Sequence, residues 1–236
     1  KYNIEQAIIM PLNDPYLMSM EFTVDAVNKN LKELVHKYPD KFYAMADIDT
    51  NNSIENMKKN LIKAIEEYKL NGLKIHPNNT GMNVDDDYNV ALLEEFNKYG
   101  LPVFIHSYPN SKDDRSATYR VKYLVNKFPN IKFIISHMGA YQYEDLLDTN
   151  CYVDISAILP DYVNKFGIKE TNNILRKFGP ERLIFATDYP SSRCLVPEEI
   201  YDRYFDILNQ MDFNDEEIKM IAYDNIKNIL NNIIVS

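Results

Sequence analysis

With 236 residues, 45% apolar, 12% aromatic and 26% charged side chains, the chain has the make-up of a globular protein able to bury a sizeable core, which excludes disorder as its main state. Its 35 acidic residues outnumber 26 basic ones for a formal net charge of −9, which argues against a nucleic-acid partner, because phosphate backbones select a basic footprint. Two cysteines, Cys151 and Cys194, are too few for a disulfide framework, no run approaches the ~20 apolar residues of a membrane span, and the start KYNIEQ has no signal-peptide pattern, so a cytoplasmic protein with no membrane partner is expected.

In chain order, the spacing of apolar residues predicts a strand over 5–10, a helix over 24–38, a strand over 42–48 and a helix over 53–68. A strand over 72–76, a helix over 88–98, a strand over 102–106 and a helix over 119–128 follow. Strands over 132–137 and 152–156, a helix over 162–178, a strand over 182–188 and helices over 197–211 and 215–229 complete the series. The strand runs, such as AIIM, VFI and FII, are apolar on both faces, the mark of parallel strands buried between helices and a packed interior. Strict βα alternation leaves a (β/α)8 barrel or an open doubly wound sheet. No GxGxxG or GxxxxGK[ST] follows a strand, which argues against a nucleotide cradle. No linker or repeat interrupts the pattern, so residues 1–236 read as one domain. Seven strands fall one short of a barrel's eight. Because the chain enters almost directly into a strand and finishes on a well-patterned helix, the expected fold is a (β/α)8 TIM-type barrel of the α/β class lacking its first βα unit.

His76, His106, His137 and Asp188 stand at or near the C-terminal ends of four of these strands, the catalytic face of such a barrel. One strand-end histidine reads equally well as a hydrogen-bonded core residue, but four such residues on four strands point to chemistry. Imidazole and carboxylate are the ligand set for zinc and similar ions, and the same groups serve as acid and base. His36, mid-helix in ELVHKYPD, stays outside this set.

GLKIHP at 72–77, LPVFIHS at 101–107, FPNIKFIISHMG at 128–139 and FGPERLIFATDYPSS at 178–192, in this order and spacing, resemble the metal-dependent amidohydrolase superfamily in its amidohydrolase-related branch, which includes decarboxylases of the aminocarboxymuconate-semialdehyde type. DEEIKMIAYDNIKNIL resembles the family's closing helix. The resemblance implies a divalent metal cofactor, first of all zinc, with His106 and Asp188 as ligands. It makes Asp188 also the group that moves a proton, and His137 either a further metal ligand or the residue that activates substrate and water. Lys74 and His76 match a KLHP-type element and, with Arg193, are expected to bind substrate; a lysine snorkelling at a strand end and a histidine capping a loop is the structural alternative.

The family's HxH on its first strand is absent from these residues. The expectation is therefore that roughly 30 to 50 further residues carrying it precede Lys1 in the gene, at the ~30 residues per βα unit of a barrel. The two edges flanking the gap should then be covered by a displaced segment or a partner chain, the latter making a homo-oligomer. The expected function is hydrolysis of an amide, ester or lactone bond in a small-molecule substrate. Asp188 would take the proton of a metal-activated water and His137 would steady the oxyanion. A non-oxidative decarboxylase (lyase) of the same family and a catalytically silent barrel are the alternatives. Elsewhere, Asp85, Asp86 and Asp87 read as a helix cap, Tyr108, Lys112, Asp113 and Arg115 as loop residues of which one could touch substrate, and Asp154 as a support for a neighbour or a barrel-lining residue.

Overall fold

A computed structural model describes residues 2–13, 23–50, 52–190 and 196–231. In chain order it contains β1 (Ala7–Ile9), α1 (Val24–Lys37), β2 (Phe42–Ala46), α2 (Ile54–Ile62), β3 (Gly72–Ile75), α3 (Pro77–Thr80), α4 (Asp87–Phe96) and β4 (Val103–His106). There follow α5 (Thr118–Lys127), β5 (Phe133–Ser136), β6 (Tyr152–Asp154), α6 (Ile158–Phe178), β7 (Leu183–Ile184), α7 (Pro197–Leu208), α8 (Asp215–Lys219) and α9 (Asn225–Asn231). The seven strands form one parallel sheet in the order β1 to β7, each hydrogen-bonded to its neighbours in the chain. This is the α/β architecture of a TIM barrel, with β1 and β7 unpaired to each other among the described residues.

Strand alternation sorts the side chains into two layers. Ala44, Ala46, Leu73, Ile75, Val103, Ile105, Phe133, Ile135, Val153 and Leu183 join the large core that the surrounding helices cover. The intervening residues face the concave interior, where Met45, Phe104, Ile134 and Ile184 pack with Ile229 of α9, and Ile8, Tyr43, Tyr152 and Ile226 lie against them. Register links these interior positions across the sheet: Met45 is opposite Gly72, Lys74 opposite Phe104, His106 opposite Ser136, and Asp154 opposite Ile184. Polar residues thus take over the interior face toward the C-terminal ends of β3 to β6, directly above an apolar floor. Gly72 permits this floor to close. A Cβ there would come 2.5 Å from the Pro102 carbonyl oxygen and 2.6 Å from Met45 Sδ.

Side-chain contacts to α7 and α9 link the two free edges. Tyr2 stacks on Tyr201 and Phe205 with ring centroids 5.3 and 5.6 Å away, and its hydroxyl donates to Asp202. Phe185, just past β7, stacks on the same two rings, and Lys227 of α9 donates to Gln6 Oε1 at 2.6 Å.

All seven strands lie where the periodicity placed them, with shorter ends. The last departs most: β7 stops at Ile184 instead of reaching 188, because the Phe185 N–H donates to the Ile221 carbonyl in the C-terminal helical segment rather than to a neighbouring strand. A helical run over His137–Leu146, broken by left-handed residues, was not foreseen.

Candidate functional site

Lys74, on the interior face of β3, is 7% exposed, and among the described residues it is the one buried Lys or Arg. Burial pulls its ammonium down to about 8, and the charges of Asp154 and Asp188 partly restore it. Its Nζ donates to Ser136 Oγ at 3.5 Å. His76 follows β3 and caps α3, its Nδ1 accepting from the Asn79 N–H at 3.3 Å, so the loop-capping alternative holds for this residue. Its ring also stacks on that of His106, with centroids 3.8 Å apart and planes 12° from parallel. Burial, then the Lys74 charge, lower the His76 imidazole to about 3. Burial likewise holds His106 far below the ordinary imidazole range, with His76, His137 and Lys74 adding to the shift. These two rings are therefore uncharged at neutral pH.

His106 ends β4, and its Nδ1 lies 3.2 Å from His137 Nε2. His137 is 4% exposed and opens a turn in which His137, Met138, Gly139 and Ala140 all have positive φ, at 62°, 56°, 69° and 45°. The turn is held by the Asp154 carboxylate at the end of β6, whose Oδ1 accepts from the His137 N–H at 3.1 Å, the Ser156 N–H at 3.1 Å and the Ser156 hydroxyl. His137 Nδ1 in turn lies 2.9 Å from the Ser156 carbonyl oxygen and 3.0 Å from Ser156 Oγ. Asp154 thus has the supporting role that was one of its two readings. Ser156 was missed, although the D-x-S spacing in VDIS puts both side chains on one face by period-two alternation.

Asp188 lies four residues beyond β7 and is exposed, with φ 58°; its carboxylate contributes to the field at Lys74. Arg193 falls outside the described residues. Of the loop residues after β4, Tyr108 turns toward the cluster, its ring centroid 5.8 Å from that of His137 and its hydroxyl donating to Asp161 Oδ2 at 2.7 Å. Lys112 and Asp113 are exposed, and Arg115 donates to the Gly81 carbonyl at 2.8 Å. Asp86 caps α4 through the Tyr88 N–H at 3.0 Å, and Asp85 pairs with Arg120 at 2.9 Å.

The imidazoles of His106 and His137 have the donor chemistry of a divalent-ion site. Among the described residues, however, no three His, Cys, Asp or Glu side chains gather closely enough to share an ion. These residues supply a two-nitrogen fragment of such a site and do not enclose an ion by themselves.

A family model described as amidohydrolase matches residues 19–231. The chain is 22% identical to the 2-amino-3-carboxymuconate-6-semialdehyde decarboxylase of Dictyostelium discoideum over 202 residues, taking in 70% of this chain and 55% of that protein, so it spans about half the length of this curated relative. Among solved structures, a TIM-barrel protein of Bordetella bronchiseptica superposes with a TM-score of 0.76 at 20% identity, covering 96% of this chain and 78% of the other. A dihydroxybenzoic acid decarboxylase of Polaromonas sp. JS666, with bound manganese and the inhibitor 2-nitroresorcinol, superposes with a TM-score of 0.66 at 17% identity, covering 89% and 75%. Because the matched span runs from α1 through α9 and takes in every strand-end histidine, the chain belongs to the amidohydrolase family.

Proposed function

We propose that the protein is a non-oxidative decarboxylase of a small unsaturated carboxylic acid bearing hydroxyl or amino groups. The relatives favour this alternative over hydrolysis: two of them are decarboxylases, of an aminocarboxymuconate semialdehyde and of a dihydroxybenzoic acid. The observation that carries it in this chain is the buried Lys74 ammonium beside a cluster of uncharged imidazoles.

In this reaction the C–C bond to the carboxylate breaks, CO2 leaves, and the carbon that keeps the electron pair takes up a proton. Lys74 gives the substrate carboxylate a cationic partner in a low-dielectric interior. The floor of Phe104, Ile134 and Ile184 excludes water beneath it, so the carboxylate leaves its hydration shell on entry. Asp188, at the exposed rim, carries the proton to the carbon that loses CO2. Arg193 remains a proposed contact to an anionic group of the substrate. The family neighbour holds manganese. His106 and His137 are the imidazoles this chain offers a divalent ion, which when bound would supply Lewis-acid polarisation of the substrate.

The test is an assay of the protein with added manganese or zinc against a panel of hydroxy- and amino-substituted unsaturated acids, run beside an ester and lactone panel. One CO2 released per acid consumed is expected. Ester or lactone cleavage without CO2 would overturn the proposal in favour of a hydrolase, and inertness toward both panels in favour of a silent barrel.

A further inference from the structure

We propose that Asp154 and Ser156 act as a tautomer lock that keeps the His137 ring protonated on Nδ1, so that in the uncharged tautomer a lone pair and not an N–H faces His106. The argument is one of donors and acceptors. The Ser156 carbonyl oxygen, 2.9 Å from His137 Nδ1, can only accept. Ser156 Oγ, 3.0 Å from the same nitrogen, has already committed its proton to Asp154 Oδ1, so it too can only accept. Two acceptors therefore face Nδ1, which must carry the hydrogen. In a neutral imidazole Nε2 is then bare. His106 Nδ1, 3.2 Å from it, is the donor of that contact, and His106 Nε2 is bare in turn.

The polarity of the whole chain is thus set from Asp154, whose Oδ1 also fixes the His137 N–H and so anchors the left-handed turn that aims the ring. Asp154 and Ser156 are positioning residues, because they act through His137 rather than on substrate. The lock narrows what His137 can do. A neutral ring with a bare Nε2 cannot donate a hydrogen bond to an oxyanion, the role expected from sequence. Its lone pair takes the His106 N–H, and it accepts a proton or ligates a cation once that contact opens. This use of the nitrogen rests on the function proposed above, whereas the tautomer itself does not.

The experiment is nitrogen-15 NMR of the histidine rings in the full chain without added metal at pH 8.5, about two units above the ordinary imidazole value. Protonated and bare ring nitrogens give separate resonances. His137 is expected to show a protonated Nδ1 and a bare Nε2. Ser156→Ala and Asp154→Asn should each bring up a second population with the tautomer reversed, and Ser156→Thr, which keeps the hydroxyl, should restore the wild-type spectrum. A wild-type spectrum with Nε2 protonated would overturn the lock, as would variant spectra identical to wild type, which would leave the backbone carbonyl as sole determinant. If the variants fail to fold, the wild-type spectrum still decides the tautomer. In the decarboxylation assay Ser156→Ala should lower kcat by about 10- to 100-fold with little change in KM. Absence of CO2 release with the tautomer as stated would sink the proposed reaction and leave the lock standing.

Discussion

Lys74 is charged inside a protein interior, and that has a cost readable in solution. Its ammonium is lowered to about 8 by burial, against 10.5 when unfolded, so between these pH values the unfolded chain binds more protons than the folded one. Stability should therefore rise as pH increases from 8 toward 10.5 and be lowest, by about 3 kcal/mol, below 8. Lys74→Met should remove this slope, stabilise the protein at neutral pH and abolish turnover; urea melts at pH 7.5 and 9.5 beside the CO2 assay check all three. Asp47, at the end of β2, gives the opposite slope. Burial pushes its carboxyl up to about 6, and its Oδ2 is buried without a hydrogen-bond partner. The folded chain then holds the proton more tightly, so this contribution is full below the ordinary 3.8 and is lost as pH rises through 6. Asp47→Asn should stabilise by up to about 3 kcal/mol at pH 7.5 and by little at pH 4. At the rim, Asp188→Asn should lower the melt only slightly, through the lost support of the Lys74 charge, but lower turnover by about 100-fold or more, because the amide cannot carry a proton. Unchanged turnover would remove Asp188 from the mechanism.

At the scale of the elements, the site depends on the turn that follows β5. Gly139 sits there at φ 69°, and a Cβ would lie 2.3 Å from Thr118 Cγ2. That methyl is not free to yield, since Thr118 is fully buried and its hydroxyl is bonded to Asp145 and Gln142. Gly139→Ala should cost about 1–3 kcal/mol of stability and displace His137, lowering activity more than the melting shift alone would. The strands were legible because runs apolar on both faces have few other homes, and the strand-end histidines were legible with them. The end of β7 was not, because Phe185 leaves the sheet for a carbonyl at Ile221, a contact no periodicity encodes. Nor was the purpose of Arg182 in the FGPERLIF signature. Its guanidinium donates to the carbonyls of Cys151, Leu147 and Leu146 at 2.8, 3.0 and 2.8 Å, so part of that motif fastens the start of β7 to the segment before β6. The links from His137 to Ser156 were hidden for a similar reason, since one acceptor is a backbone carbonyl and depends on the turn rather than on residue identity.

At the scale of the whole molecule, the interior is closed from below by α9, whose Ile229 is buried against Met45, Phe104, Ile134 and Ile184. Ile229→Ala should destabilise by about 2–4 kcal/mol, since it empties space among side chains drawn from four strands. Denaturant midpoints measure this directly, and a change under ~1 kcal/mol would mean that the helix is not structurally coupled to the floor. The seam above that helix has a further consequence, for the order of events during synthesis. Its contacts join Tyr2 to Asp202 and Gln6 to Lys227, 200 and 221 positions apart, whereas every strand pairing joins neighbours in the chain. Loop closure over such spans comes late. A nascent chain that has already assembled its seven strands still presents an open trough of Ile8, Met45, Phe104 and Ile134 to the surroundings until Asn225–Asn231 emerges to cover it. That interval, rather than the finished fold, is where this protein is most exposed to aggregation and most in need of a chaperone.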